Sequence, residues 1–259
     1  MLDTTVPGVR PPHAPRAGQS GLLSSEPPMP RPHVHAPTAD LRVACIESAP
    51  FGENTYVLFR PGGLACLVID PGFEPERVIE AIRAEGLVPE AILLTHGHSD
   101  HIAGNAALRH VWPDLPILIG HGDAAKLGDP AGNLSGAFGL ALTSPPADRL
   151  LADRERLDLA GFTFDVHEIP GHSSGHVVFV LGGSVPPIVF AGDVLFHESI
   201  GRTDFPDGDF ATLAHGIRDR LYTLPDDTVV FPGHGSPTTV GHEKRHNPFV
   251  PAADPRRAH

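Results

Sequence analysis

Cysteine is nearly absent. Cys45 and Cys66 are the only two in 259 residues, and they lack C-x-x-C spacing. That excludes a disulfide framework and a thiolate metal site. Both lie in apolar, strand-like stretches and read as buried, reduced thiols. Positive charge is also scarce: 19 Lys and Arg stand against 31 Asp and Glu, for a formal net charge of −12, and no basic cluster occurs. Phosphate backbones are bound by clustered Lys and Arg, so no nucleic-acid partner is expected. Long hydrophobic runs are missing as well. No segment approaches the roughly 18 apolar residues of a membrane helix, so no membrane partner is expected. The stretch Gly21-Leu22-Leu23 is far too short for the apolar core of a secretory signal. A cytoplasmic location is the expectation.

What the chain has in excess is proline and histidine, 29 and 17 residues. The prolines crowd the first forty positions: Pro7, Pro11, Pro12, Pro15, Pro27, Pro28, Pro30, Pro32 and Pro37. They remove backbone donors where no apolar period exists, so residues 1–40 read as a disordered tail, with His13, His33 and His35 outside any metal site. Residues 251–259 read as a frayed end.

Between them, 41–250 reads as one domain. Short apolar or alternating runs broken by Gly and Pro predict strands at Leu41–Ile46, Asn54–Phe59, Leu64–Ile69, Ala91–Thr95 and Ile117–Gly120. A second group follows at Arg156–Leu159, Phe162–Ile169, His176–Leu181, Ile188–Ala191 and Thr228–Phe231. Helical spacing predicts helices at Pro75–Glu85, Ile102–Val111, His121–Leu127 and Asp209–Leu221, and from Gly241 onward. Residues 128–146 read as a loop with a short helix. Strands arriving in two groups, each followed by helix, predict an α/β fold of two packed sheets with helices outside.

The strongest chemical signal is Thr95-His96-Gly97-His98-Ser99-Asp100-His101, directly after a predicted strand. Packing does not explain three imidazoles and a carboxylate in so short a stretch, because each ring brings polar nitrogens that need partners. Alternation at the strand end lets His96 and His98 point one way, and the following turn carries Asp100 and His101 to a second point nearby. Such ligands suit Zn²⁺, Fe or Mn. Three further candidates each follow an apolar strand and a glycine: His172 in Pro170-Gly171-His172-Ser173-Ser174-Gly175-His176, Asp193 in Ala191-Gly192-Asp193, and His234 in Pro232-Gly233-His234-Gly235. Glycine permits close backbone approach, and a strand end holds a ligand on a rigid element.

The order HxHxDH, PGHSSGH, GD and PGHG resembles the metallo-β-lactamase superfamily, and within it the short glyoxalase II-like (hydroxyacylglutathione hydrolase-like) bacterial proteins. The resemblance runs from about Val43 to Phe249 and includes Ile69-Asp70-Pro71-Gly72 and Gly201-Arg202-Thr203-Asp204-Phe205. It implies an αββα four-layer sandwich with the site at one edge of the sheets. It also implies two divalent metal ions, of which zinc is the first expectation and iron or manganese the others. His96, His98 and His172 would serve one ion, Asp100, His101 and His234 the other, and Asp193 would bridge them. Asp70 resembles an acid just behind the metals. A cysteine often stands at the position of Asp193 in true β-lactamases of the superfamily, which disfavours that activity.

Two ions about 4 Å apart lower the pKa of a shared water from about 15.7 toward about 7. The expected reaction is therefore attack of the resulting hydroxide on the thioester carbonyl of a small, glutathione-linked molecule, with Asp100 and Asp193 orienting it. Full-length glyoxalase II enzymes carry a C-terminal helical domain that supplies much of the glutathione contact, and no counterpart to it is expected here. Arg202, Lys244 and Arg245 are the candidates for meeting an acidic thiol carrier. His176 reads as a neighbour of the site, and His110, His121, His167, His197, His242 and His246 as outside it. The competing reading is a mononuclear-iron persulfide dioxygenase of the same superfamily, which would use His96, His172 and Asp193.

Overall fold

The structure is a computed structural model that describes Met1 and residues 32–252. Its first sheet runs β1 (His33–Thr38), β2 (Leu41–Ser48), β3 (Glu53–Phe59), β4 (Ala65–Ile69), β5 (Val88–Leu94), β6 (Ile117–Gly120) and β7 (Arg149–Leu151) in that spatial order. Strands β1 to β4 are antiparallel neighbours, and β4 to β7 are parallel. The second sheet contains β8 (Arg156–Leu159), β9 (Phe162–Glu168), β10 (Val177–Leu181), β11 (Ile188–Gly192), β14 (Val229–Pro232) and β15 (Thr238–Thr239), ordered β15-β14-β11-β10-β9-β8. A separate small hairpin joins β12 (Leu195–Phe196) to β13 (Ser199–Ile200). The helices are α1 (Pro75–Ala84), α2 (Ser99–Ile102), α3 (Asn105–Val111), α4 (Phe210–Gly216) and α5 (Val240–His246).

Alternation along the strands creates three apolar layers. The inner faces meet in one core, with Leu58, Leu67, Ile69 and Leu93 from the first sheet against Phe164, Phe179, Phe190 and Phe231 from the second. Val57, Val68, Ile92 and Ile119 point to the other side of the first sheet, where Val78 and Ile82 of α1 and Leu108 of α3 cover them. Val178, Val189 and Val230 are covered likewise by Leu213 of α4 and Val240 of α5. Helix, sheet, sheet, helix is the four-layer αββα sandwich expected. No described helix is long and apolar enough to cross a membrane.

The tail expected over residues 1–40 is shorter than that at its C-terminal end. His33–Thr38 pairs antiparallel with β2, and the His35 ring meets Phe231 edge-on at 5.3 Å. Pro37 does not prevent this, because an outermost strand needs only one row of backbone donors. Residues 2–31 and 253–259, to which the rest of the tail and most of the frayed end were assigned, lie outside the described residues. The helix expected at Ile102–Val111 is two helices. They break at Gly104, whose N–H donates to Pro71 O at 2.7 Å and where a Cβ would crowd that carbonyl. The helix expected over Asp209–Leu221 changes to a π turn at Ile217–Leu221, and His121–Gly128 is 3-10 rather than α-helical. Cys45 and Cys66 are both free thiols; Cys66 is buried as expected, whereas Cys45 is only half-buried.

Candidate metal centre

All seven candidate ligands follow the C-terminal ends of strands: His96 to His101 follow β5, His172 follows β9, Asp193 follows β11 and His234 follows β14. The backbone stitches the two sheets together at this rim. Val177 N–H donates to Thr95 O at 2.8 Å and Asn54 N–H to Gly233 O at 2.7 Å, and Glu53 of β3 makes an isolated bridge with His234. Glycine has a definite task at Gly233, where a methyl group would overlap Asp193 Oδ1 and press on His101. At Gly192, φ is +47° and a side chain would run into Thr95 and His176.

The ligand atoms converge as two groups: His96, His98 and His172, and Asp100, His101 and His234, each group within 4.8 Å. In the first, His98 Nδ1 lies 3.1 Å from His96 Nε2 and 2.9 Å from His172 Nε2. In the second, His234 Nε2 is 3.4 Å and His101 Nε2 3.8 Å from Asp100 Oδ2. Asp193 stands between the groups. Its Oδ1 is 3.3 Å from His101 Nε2, and its Oδ2 is 3.4 Å from His172 Nε2 and 3.5 Å from His234 Nε2.

The outer nitrogens decide which ring atoms face inward. His172 Nδ1 is 2.8 Å from Arg202 O, and His234 Nδ1 is 3.2 Å from Phe51 O and Gly52 O. A carbonyl only accepts, so both Nδ1 atoms carry hydrogen and Nε2 is left to face the centre. Asp70 accepts from His101 Nδ1 at 3.1 Å, Thr95 Oγ1 at 2.6 Å and Thr95 N at 2.7 Å. It therefore sits directly behind a candidate ligand, as the resemblance implied. Inside the centre, the buried His101 Nε2 and Asp193 Oδ1 have no hydrogen-bond partner. Imidazole nitrogens and carboxylate oxygens aimed inward are donors that a divalent ion accepts once it displaces any ring proton, so these residues fit one at each group.

Electrostatics differ between the groups. Burial, reinforced by neighbouring imidazoles, pushes His96 well below the ordinary range and His98 down to about 3. Both present neutral nitrogens. In the second group burial works against the charged rings, but the carboxylates outweigh it. Asp193 and Asp100 hold His101 well above its usual value, and their hydrogen bonds hold His234 at about 10. Burial would raise Asp193, yet His101 and His172 hold it well below the usual carboxylate range.

Sequence reasoning missed one support and left a second without a stated contact. Asp123, wholly buried, accepts from Gly97 N at 2.9 Å, Gly175 N at 2.7 Å and Ser173 Oγ, with Lys126 Nζ at 3.0 Å. It thereby pins the turn bearing His96 and His98 to the loop bearing His172. No spacing signal marks it. His176, read only as a neighbour, accepts from Asp193 N at 3.0 Å through Nε2 and stacks on His96 at 4.7 Å. The pocket above the centre is about 270 Å³ and is lined by Phe51, Phe138, Phe196 and Phe205 with Ile200 and Arg202. Arg202 binds Asp204 through two hydrogen bonds of 2.9 Å and lies over the Phe205 ring at 4.5 Å. Lys244 and Arg245 do not line this pocket; both pair with Asp226.

A four-layer αββα sandwich with His/Asp clusters at one rim of its sheets is the architecture of a metallo-hydrolase, and residues 49–234 match the metallo-beta-lactamase superfamily. The chain belongs to that superfamily. It is 41% identical to the hydroxyacylglutathione hydrolase GloC of Haemophilus influenzae over 71% of this chain and 86% of that one. Among solved structures it is similar to TTHA1623 in a di-iron-bound form, at 40% identity and a TM-score of 0.70, covering 80% of this chain and 99% of that one. BLEG-1, a B3 metallo-beta-lactamase, is 39% identical with a TM-score of 0.76 over the same shares.

Proposed function

We propose that this chain is a dinuclear metal-dependent hydrolase of small thioesters of the hydroxyacylglutathione type. The observation that carries it is the position of Asp193, whose carboxylate lies 3.3 Å from His101 on one oxygen and 3.4 Å from His172 on the other. On this reading His96, His98 and His172 would hold one ion and Asp100, His101 and His234 the second, with Asp193, which stands between the groups, contributing to both. Zinc and iron both suit these donors, and the di-iron form of TTHA1623 supports iron as strongly as the general preference of such ligands supports zinc. When bound, a pair of divalent ions supplies Lewis acidity and an activated water at neutral pH.

The chain's own residues do the rest. Asp100 and Asp193 accept hydrogen bonds from the attacking water and aim it into the pocket. The phenylalanine walls seat the acyl part and exclude bulk water, which strengthens every charge interaction inside. Arg202 at the rim offers a cation to a carboxylate on the thiol half. A thiol of pKa about 8.5 departs as thiolate, so no general acid has to be found beside the leaving sulfur. The likeness to GloC supports this substrate class, whereas the likeness to BLEG-1 favours a second reading, β-lactam hydrolysis.

Elemental analysis of the purified chain, run alongside hydrolysis of S-lactoylglutathione, a chromogenic cephalosporin and oxygen uptake on glutathione persulfide, separates the readings. Two ions per chain with thioester turnover is the expected result. One iron with oxygen consumption, or turnover of the cephalosporin alone, would overturn it.

A further inference from the structure

A second set of metal-ligating side chains lies on the outer surface, away from the buried centre. His197 and Glu198 form the turn between β12 and β13, and His242 lies on α5; their ligand atoms fall within 4.8 Å of one another. His242 Nε2 is 3.0 Å from Glu198 Oε1, and the His197 ring stacks on His242 at 4.9 Å with 20° between planes. His246, one helical turn further along α5, brings another imidazole to 4.6 Å from His242. Residues four apart on a helix share a face, so these two rings point the same way. The neighbouring cations do not compete, because Lys244 and Arg245 are drawn to Asp226 at 2.7 and 3.3 Å.

Backbone geometry supplies an independent reason to regard the turn as a clamp. Glu198 has φ +53°, a left-handed conformation unfavourable for a side-chain-bearing residue, and such conformations persist where surrounding contacts enforce them. The hairpin pairing of Phe196 with Ser199 closes the turn, and α5 with the residue after it braces it from outside. Glu198 N–H donates to Glu243 Oε2 at 3.0 Å, and Asn247 Nδ2 donates to Ser199 O at 3.0 Å. The same hairpin carries Phe196 and Ile200 into the pocket wall, with the Phe196 ring 5.9 Å from that of His234.

We propose that His197, Glu198 and His242, with His246 beside them, form a peripheral site for a borderline divalent transition ion such as Zn²⁺, and that filling it ties the pocket-wall hairpin to α5. Two or three imidazoles and one carboxylate make a donor set that Zn²⁺ accepts in tetrahedral geometry. The side chains are exposed enough to exchange an ion with solvent; Glu198 retains 50% and His242 33% side-chain accessibility. The site shares no ligand with the buried centre and does not depend on what that centre does.

Calorimetric titration of the full chain with Zn²⁺ alone, after its buried centre has been loaded and counted, tests the site. One further ion per chain is expected for the wild type and none for His197→Ala or His242→Ala, with the buried metal content unchanged in both. A wild type that takes no further ion, or variants that titrate like it, would overturn the proposal. Amide exchange across Phe196–Ile200 reads the clamp separately. Zn²⁺ is expected to slow it in the wild type and leave it unaltered in His242→Ala; exchange indifferent to Zn²⁺ in both would remove the clamp.

Discussion

Asp123 shows how much of the centre depends on a residue that touches no candidate ligand side chain. Five donors converge on its carboxylate: two backbone amides on either side of the centre, the hydroxyls of Ser173 and Ser174, and the Lys126 ammonium. That lysine, after burial, is the chief influence on its ionisation and keeps it below the usual carboxylate range. Asn at this position retains the shape but only one accepting oxygen, and its NH₂ would face amide donors. Asp123→Asn is therefore expected to weaken metal binding about 10- to 100-fold while the chain stays folded, the range found when partners behind a ligand are removed. Competition with a chelator measures it; an unaltered affinity would show that the two loops hold themselves.

At the scale of elements, the candidate ligands lie just beyond strand ends, two of them on the one-turn α2, and glycine is what lets these segments come close. Gly233→Ala places a methyl group on the Asp193 carboxylate. The variant is expected to lose most of its bound metal, with circular dichroism close to wild type because β14 itself is untouched. Normal metal content in that variant would contradict the packing at the rim. Much of this was legible beforehand. The His-rich turn after one strand and the strand–glycine–ligand pattern after three others brought forward the seven side chains that converge at the rim, because period-two apolar runs and His-rich turns are local signals. Strands β7, β12, β13 and β15 were not legible, since runs of two or three residues carry no period and are defined by their partners. Asp123 was hidden for the same reason: it lies 26 positions from the amide it anchors. β1 was hidden behind its proline.

For the whole molecule, the imidazoles set the response to pH. Burial draws His98 and His176 from 6.5 down to about 3 in the folded chain. The unfolded chain takes up these protons first, so folded stability rises with pH between about 3 and 6.5 and falls as pH drops through that window. His234, raised to about 10, acts in the opposite sense: its contribution is complete below 6.5 and is lost as pH climbs toward about 10. Urea unfolding of the metal-depleted chain is thus expected to give its highest midpoint near pH 6.5, falling on both sides. A midpoint that stayed level down to about pH 3 would show that the buried rings do not govern it.

The pocket wall has a consequence for how such a protein changes over time. Phe51 lies in a turn, Phe138 on a single 3-10 turn, Phe196 on the small hairpin and Phe205 in a connection, whereas the candidate ligands sit in the short stretches just beyond sheet strands, Asp100 and His101 on the one-turn α2. Chemistry and choice of substrate are written on separate stretches of chain. Lineages can rewrite the lips of the pocket one loop at a time while the reacting machinery is inherited whole.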